Sequence, residues 1–208
     1  MHAVPLDRNA DRDYNKTDIY ETEDCHAGAY HGDHRACGFY GGLQLALKTG
    51  GNVLLVDQRA HGGSDGHTIT FGIRERRDVI SRIDYINKTY GAETDIYIEG
   101  VSMGAASVLM ASELPLPGNV RGIIADCPYS SPFAIVSRTA DSMLRVRYVS
   151  YPFIILGSFI FGRFRIFSSS AVKAVKKKVP FRYLSYTEKA TASCWWRCRA
   201  RYAIQRRT

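Results

Sequence analysis

Apolar residues in this chain fall into short unbroken runs separated by stretches of helical periodicity. Asn52-Val-Leu-Leu-Val-Asp57 fits a strand buried on both faces, and it opens into a polar, turn-rich loop, Gln58-Arg-Ala-His-Gly-Gly-Ser64. From Gly72 to Tyr90, Ile73, Val79, Ile80, Ile83 and Ile86 recur at helical spacing with Arg and Asp between them, which predicts an amphipathic helix covering one face of a sheet. A second strand is expected over Thr94–Glu99, a helix over Ala105–Ser112, and a third strand over Val120–Cys127, ended by Pro128. Strand and helix alternate, so the pattern predicts a right-handed β-α-β-α-β unit with a parallel sheet. Gly38–Lys48 fits a further helix ahead of the first strand, whereas residues 1–24 carry no apolar run long enough for a strand.

Between the second strand and its helix stands Gly100-Val-Ser-Met-Gly104, a G-x-S-x-G pentapeptide in the strand-turn-helix setting that a nucleophile elbow requires. Gly100 and Gly104 permit a sharp turn that forces Ser102 into a strained backbone and lifts its hydroxyl clear of the sheet edge. The following amide, that of Met103, then points at a substrate carbonyl oxygen. On the pentapeptide alone, a glycine-rich strand-to-helix turn accounts for these residues equally well.

The succession NVLLVDQRAHGGS, YIEGVSMGAAS and GIIADCPYSSP over residues 38 to 180 resembles the α/β-hydrolase superfamily, most of all its bacterial esterase- and peptidase-like serine hydrolases. The resemblance implies an α/β fold with an eight-stranded, mostly parallel sheet, flanking helices and a helical cap at about 131–170. It implies Ser102 as nucleophile, the Met103 amide as one oxyanion donor, a small acyl substrate such as a carboxylic ester, and no cofactor or metal. A second oxyanion donor is expected after a strand ending in His-Gly. His31-Gly32 is roughly placed for it, with Gly32 the candidate, though an exposed loop dipeptide fits as well. His61 belongs by resemblance to a structural loop beside the site. The acid and the histidine of the triad should both follow the serine in the chain. All six histidines (His2, His26, His31, His34, His61, His67) precede Ser102, so the expected general base is missing and the chain as written should be catalytically crippled. Asp126, at the end of the third strand, is the candidate substitute acid; the plain alternative is an aspartate bonded to backbone at a strand end.

Charge separates the carboxyl end from the rest. The net charge is +8, yet residues 1–172 hold 17 Lys and Arg against 19 Asp and Glu, and residues 173–208 hold 11 against one. The excess therefore belongs to the last segment, which suits either a tail that binds an anionic partner, the non-enzymatic alternative, or a stretch without meaning. Codon degeneracy favours the second. Read from the third base of each codon, Pro180 to Arg201 permit Pro-Val-Leu-Ile-Ile-His-Gly-Glu-Gly-Asp-x-Phe-Val, which resembles the apolar strand and acid loop expected there. The sequence thus divides into a poorly defined segment 1–37, a core 38–180 and a basic, out-of-frame tail 181–208. No nucleic-acid partner is expected. The apolar run Tyr151–Phe161 is about 11 residues, too short to span a bilayer, so no transmembrane segment is expected. Five scattered cysteines suit a reducing compartment, Cys194 and Cys198 alone make no metal site, and the amino end shows no apolar signal region; these point to the cytoplasm.

Overall fold

The computed structural model describes residues 51–144 apart from 63, residues 150–177, and the backbone of three strands at 17–20, 25–31 and 182–186. In chain order the elements are β1 (Thr17–Tyr20), β2 (Cys25–His31), β3 (Gly51–Asp57), α1 (Glu75–Tyr90), β4 (Ile96–Val101), α2 (Met103–Ala111), β5 (Val120–Asp126), α3 (Pro132–Leu144), α4 (Ser150–Ile160), α5 (Ala171–Lys176) and β6 (Arg182–Tyr186). The strands form one six-stranded sheet in the order β1-β3-β2-β4-β5-β6, with β1 antiparallel and the others parallel.

Alternation along the strands builds the core. Leu54 and Val56 of β3, Ile96 and Ile98 of β4, and Ile123 and Ala125 of β5 point to one face, as a two-residue period requires. Val79, Ile83 and Ile86 of α1 close over them, and Ala105, Val108 and Leu109 of α2 join the same cluster. All nine residues of α2 are buried. A helix of small and apolar side chains, with no outward polar stripe, suits an element packed against α1, α5, β4 and β5 at once. Glu75 and Asp78 lie in the first turn of α1 and Lys88 in its last, matching the helix dipole, and Gly91 ends the helix at φ 94°.

The three predicted strands and two predicted helices of the core are present, each within a few residues of its expected bounds. Three strands lie where the sequence reading placed none. β1 and β2 fall inside 1–37, the segment taken as poorly defined. Cys25-His-Ala-Gly-Ala-Tyr-His31 has little strand propensity of its own, yet it is paired on both sides, by β3 and by β4. Its conformation comes from its neighbours. β6 falls inside the segment read as a tail and pairs in parallel with β5, Gly122 opposite Arg182 through Asp126 opposite Tyr186. The helix expected over 38–48 lies outside the described residues.

Candidate active site

β4 and α2 meet at Ser102, and the close approach of the two elements explains the glycine before it. A Cβ on Gly100 would sit 2.5 Å from the carbonyl carbon of Gly104 and 2.7 Å from the amide nitrogen of Ala105. Any larger residue at 100 would therefore push the first turn of α2 off the strand. Ser102 takes φ 52° and ψ −108°, a conformation that costs an L residue roughly 1–3 kcal/mol and persists only where its surroundings impose it. Two backbone bonds impose it. The Ser102 N–H donates to the Asp126 carbonyl at 2.8 Å, and the Ala106 N–H donates to the Ser102 carbonyl at 3.1 Å.

The serine is exposed while the helix behind it is buried. Because the first helical bond runs from Ala106 to Ser102, the amides of Met103, Gly104 and Ala105 have no partner within the helix and carry its positive end. The Met103 N–H, one residue after the hydroxyl, stands at the position that an oxyanion donor needs. Among the described residues, no side chain hydrogen-bonds the Ser102 hydroxyl.

Strand register sets what lies beside the elbow. Val101 pairs with Asp126 on one side and with His31 on the other, and His31 also pairs with Asp57. The carboxyl ends of β3, β2, β4 and β5 thus form one edge with Ser102 in its middle. His31 is brought to that edge by its backbone, and Gly32 lies outside the described residues. Asp126 accepts from the Cys127 thiol at 3.2 Å through Oδ1, and Cys127 itself has φ 51°. No described histidine is bonded to the Asp126 carboxylate. Sequence reasoning passed over Glu99, three residues before Ser102. Burial raises its pKa, and the neighbouring Asp126 charge raises it further. A glutamate inside the otherwise apolar run Ile96-Tyr-Ile-Glu99 was the signal.

The loop after β3 is held by its own polar residues. Arg59 Nε donates to Asp78 Oδ2 of α1 at 2.6 Å, and a second guanidinium nitrogen bonds the other carboxylate oxygen. Burial raises the Asp78 pKa despite the arginine. His61 Nδ1 lies 2.9 Å from the Arg59 carbonyl oxygen, and since a carbonyl oxygen only accepts, Nδ1 is the donor of that bond. The Ser64 hydroxyl donates to the Asp57 carbonyl at 2.8 Å. A Cβ on Gly62, at φ +53°, would strike the Asp57 carboxylate at 2.1 Å. His67 is exposed on the same loop.

A second apolar cluster borders the elbow. Met103 and Ala106 of α2 share a cluster with Ile73, Met110 and Tyr129, against which Ile135 of α3 and Phe164 also pack. Burial, helped by the charge of Glu75, pushes the Tyr129 hydroxyl well above the ordinary tyrosine range. α3 and α4 are joined by an edge-to-face contact of Phe133 with Tyr151 at 5.2 Å, and by the Tyr151 hydroxyl donating to Asp141 at 3.2 Å.

One antiparallel edge strand beside a parallel run, helices packed on the sheet and a strained serine between the central strand and its helix define the class: the chain has the α/β-hydrolase fold. It is similar in structure to the esterase Pf2001 of Pyrococcus furiosus, with a TM-score of 0.56 and 19% identity over 88% of this chain and 74% of that one. A second crystal form of that esterase matches with a TM-score of 0.56 and 22% identity over 84% and 70%. In sequence the chain is 33% identical over 88 residues to the uncharacterized protein YqkD of Bacillus subtilis, a match spanning 42% of this chain and 29% of that protein. No family model matches. No helix among the described residues is long and apolar enough to cross a membrane, and no group of three or more His, Cys, Asp or Glu among them is arranged to hold a metal ion.

Proposed function

We propose that this chain is a serine hydrolase acting on carboxylic esters or related acyl bonds, with Ser102 as nucleophile. The observation that carries this reading is the strained, exposed Ser102 at the start of a buried helix whose first amides have no partner within the helix. The hydroxyl attacks the acyl carbon, the carbonyl electrons move onto oxygen, and the Met103 N–H stabilises the oxyanion as it forms. The register of β2 beside the elbow supports the Gly32 amide as a second donor. In the chain as written, which lacks its own acid loop, Asp126 is the candidate substitute acid, and its position at the edge of the sheet supports that role.

Attack also needs a base for the serine proton. The sequence as written has no histidine after Ser102, so we assign the acid and base loops to the alternative reading frame that begins near Pro180. The chain as written then binds and reacts slowly at best. Incubation with a fluorophosphonate tests the nucleophile: a single adduct on the peptide carrying Ser102 is expected, absent from Ser102→Ala. An adduct on another residue, or none on either frame's protein after prolonged incubation, overturns the assignment.

A further inference from the structure

Beyond the elbow, the molecule carries a second surface whose chemistry the hydrolase reading does not use. Ten of the twelve large apolar side chains exposed among the described residues lie between Met143 and Val175. α4 concentrates them. Tyr151, Ile154 and Ser158 recur at helical spacing as its partly buried stripe, with Tyr151 against Phe133, while Phe153, Ile155, Leu156, Phe159 and Ile160 face outward. The helix thus shows solvent its more apolar side, the reverse of an ordinary surface helix. Phe161 continues the strip at 86% exposure and Phe167 at 62%.

Charge identifies the occupant. Exposed Arg163, Arg165, Lys173, Lys176 and Lys177 follow directly on the apolar strip, and the sequence has no Asp or Glu between Asp141 and Glu188. The loop that carries the arginines is fixed in place, since Arg74 Nη2 donates to the Arg163 carbonyl at 2.8 Å. A second copy of the chain related by a two-fold axis would set this basic rim against itself with no acid in the strip to answer it. A polyanionic surface with an apolar interior answers both features. With 11 residues, α4 is about 16 Å long, roughly half the hydrocarbon thickness of a bilayer, so it can lie in the interface and cannot cross.

We infer that α4 and the loop to α5 form a docking face for an anionic lipid bilayer, with Phe153, Phe159 and Phe161 entering the acyl boundary and Arg163 and Arg165 meeting headgroup phosphates. This inference is independent of the hydrolase reading and survives its failure. Co-sedimentation with sucrose-loaded vesicles tests it, using phosphatidylcholine alone and with about 30% phosphatidylglycerol. The full chain should partition at least tenfold more strongly onto the anionic vesicles, and less so in high salt. Phe159→Asp with Phe161→Asp should lower that partition more than tenfold with an unchanged circular dichroism spectrum, and Arg163→Glu with Arg165→Glu should lower it about tenfold. Either of two results overturns the inference: no partition onto anionic vesicles, or partition untouched by the phenylalanine substitutions. The second result assigns lipid binding to the basic residues beyond 178. A dimer in light scattering that these phenylalanine substitutions disperse, together with absent vesicle binding, assigns the face to self-association and overturns it as well.

Discussion

At the scale of single residues, the elbow is a place where steric room and electrostatics are both specified. Gly100 leaves no space for a methyl group against the backbone of Gly104 and Ala105, and backbone cannot step aside as a side chain can. Gly100→Ala should cost about 3 kcal/mol in urea unfolding, near the upper end for overpacking, and should abolish serine labelling in whatever folds. Glu99 offers a different test. Burial and Asp126 raise its folded pKa above the ordinary value of about 4.5, so its ionised form destabilises the fold. That cost is fully present above the folded pKa and vanishes below the unfolded one. Glu99→Gln should therefore raise the melting temperature at pH 7 to 8, with the gain fading toward pH 4; a gain independent of pH would contradict the charge argument.

At the scale of elements, the entry into α1 is clamped by one buried carboxylate. Glu75 accepts from the Thr70 N–H at 2.7 Å, the Thr70 hydroxyl at 2.5 Å and the Gly72 N–H at 2.9 Å. Removing it strands three donors away from water, so Glu75→Ala should cost about 3 kcal/mol or more by chemical denaturation, and faster amide exchange at Thr70 and Gly72 should accompany the loss. The sequence reading reached α1, β3, β4, α2 and β5 because each carries its own periodicity or apolar run, and it singled out Ser102 because the glycines and the serine sit in contiguous residues. It missed β2, whose alanines, glycine and histidines become a strand only through pairing on both sides. It missed β6 because Arg182, Tyr183, Ser185 and Tyr186 have no apolar run. Glu99 owes its raised pKa to burial and to Asp126 on the neighbouring strand, a setting that only strand pairing creates. The Glu75 clamp is local, its partners Thr70 and Gly72 lying five and three residues away, but it is no helix-cap pattern of the kind the sequence was read for.

At the scale of the whole molecule, the chain combines a strained, exposed Ser102 between strand and helix with a sequence that offers no histidine after it. The sheet edge gathers Asp57, His31 and Asp126 from three strands around Ser102, and in the proposed function the acid and base act at this edge. A positioned base contributes about 10²–10⁴ in rate, and the members of a triad act as a unit. The decisive comparison is the turnover of p-nitrophenyl acetate by the chain as written and by a chain recoded to the alternative frame after Pro180. The first should hydrolyse it scarcely above background, the second should be at least about a hundredfold faster, and Ser102→Ala should abolish that gain. Rapid turnover by the chain as written, silenced by His61→Ala, would contradict this and give the base to an upstream histidine.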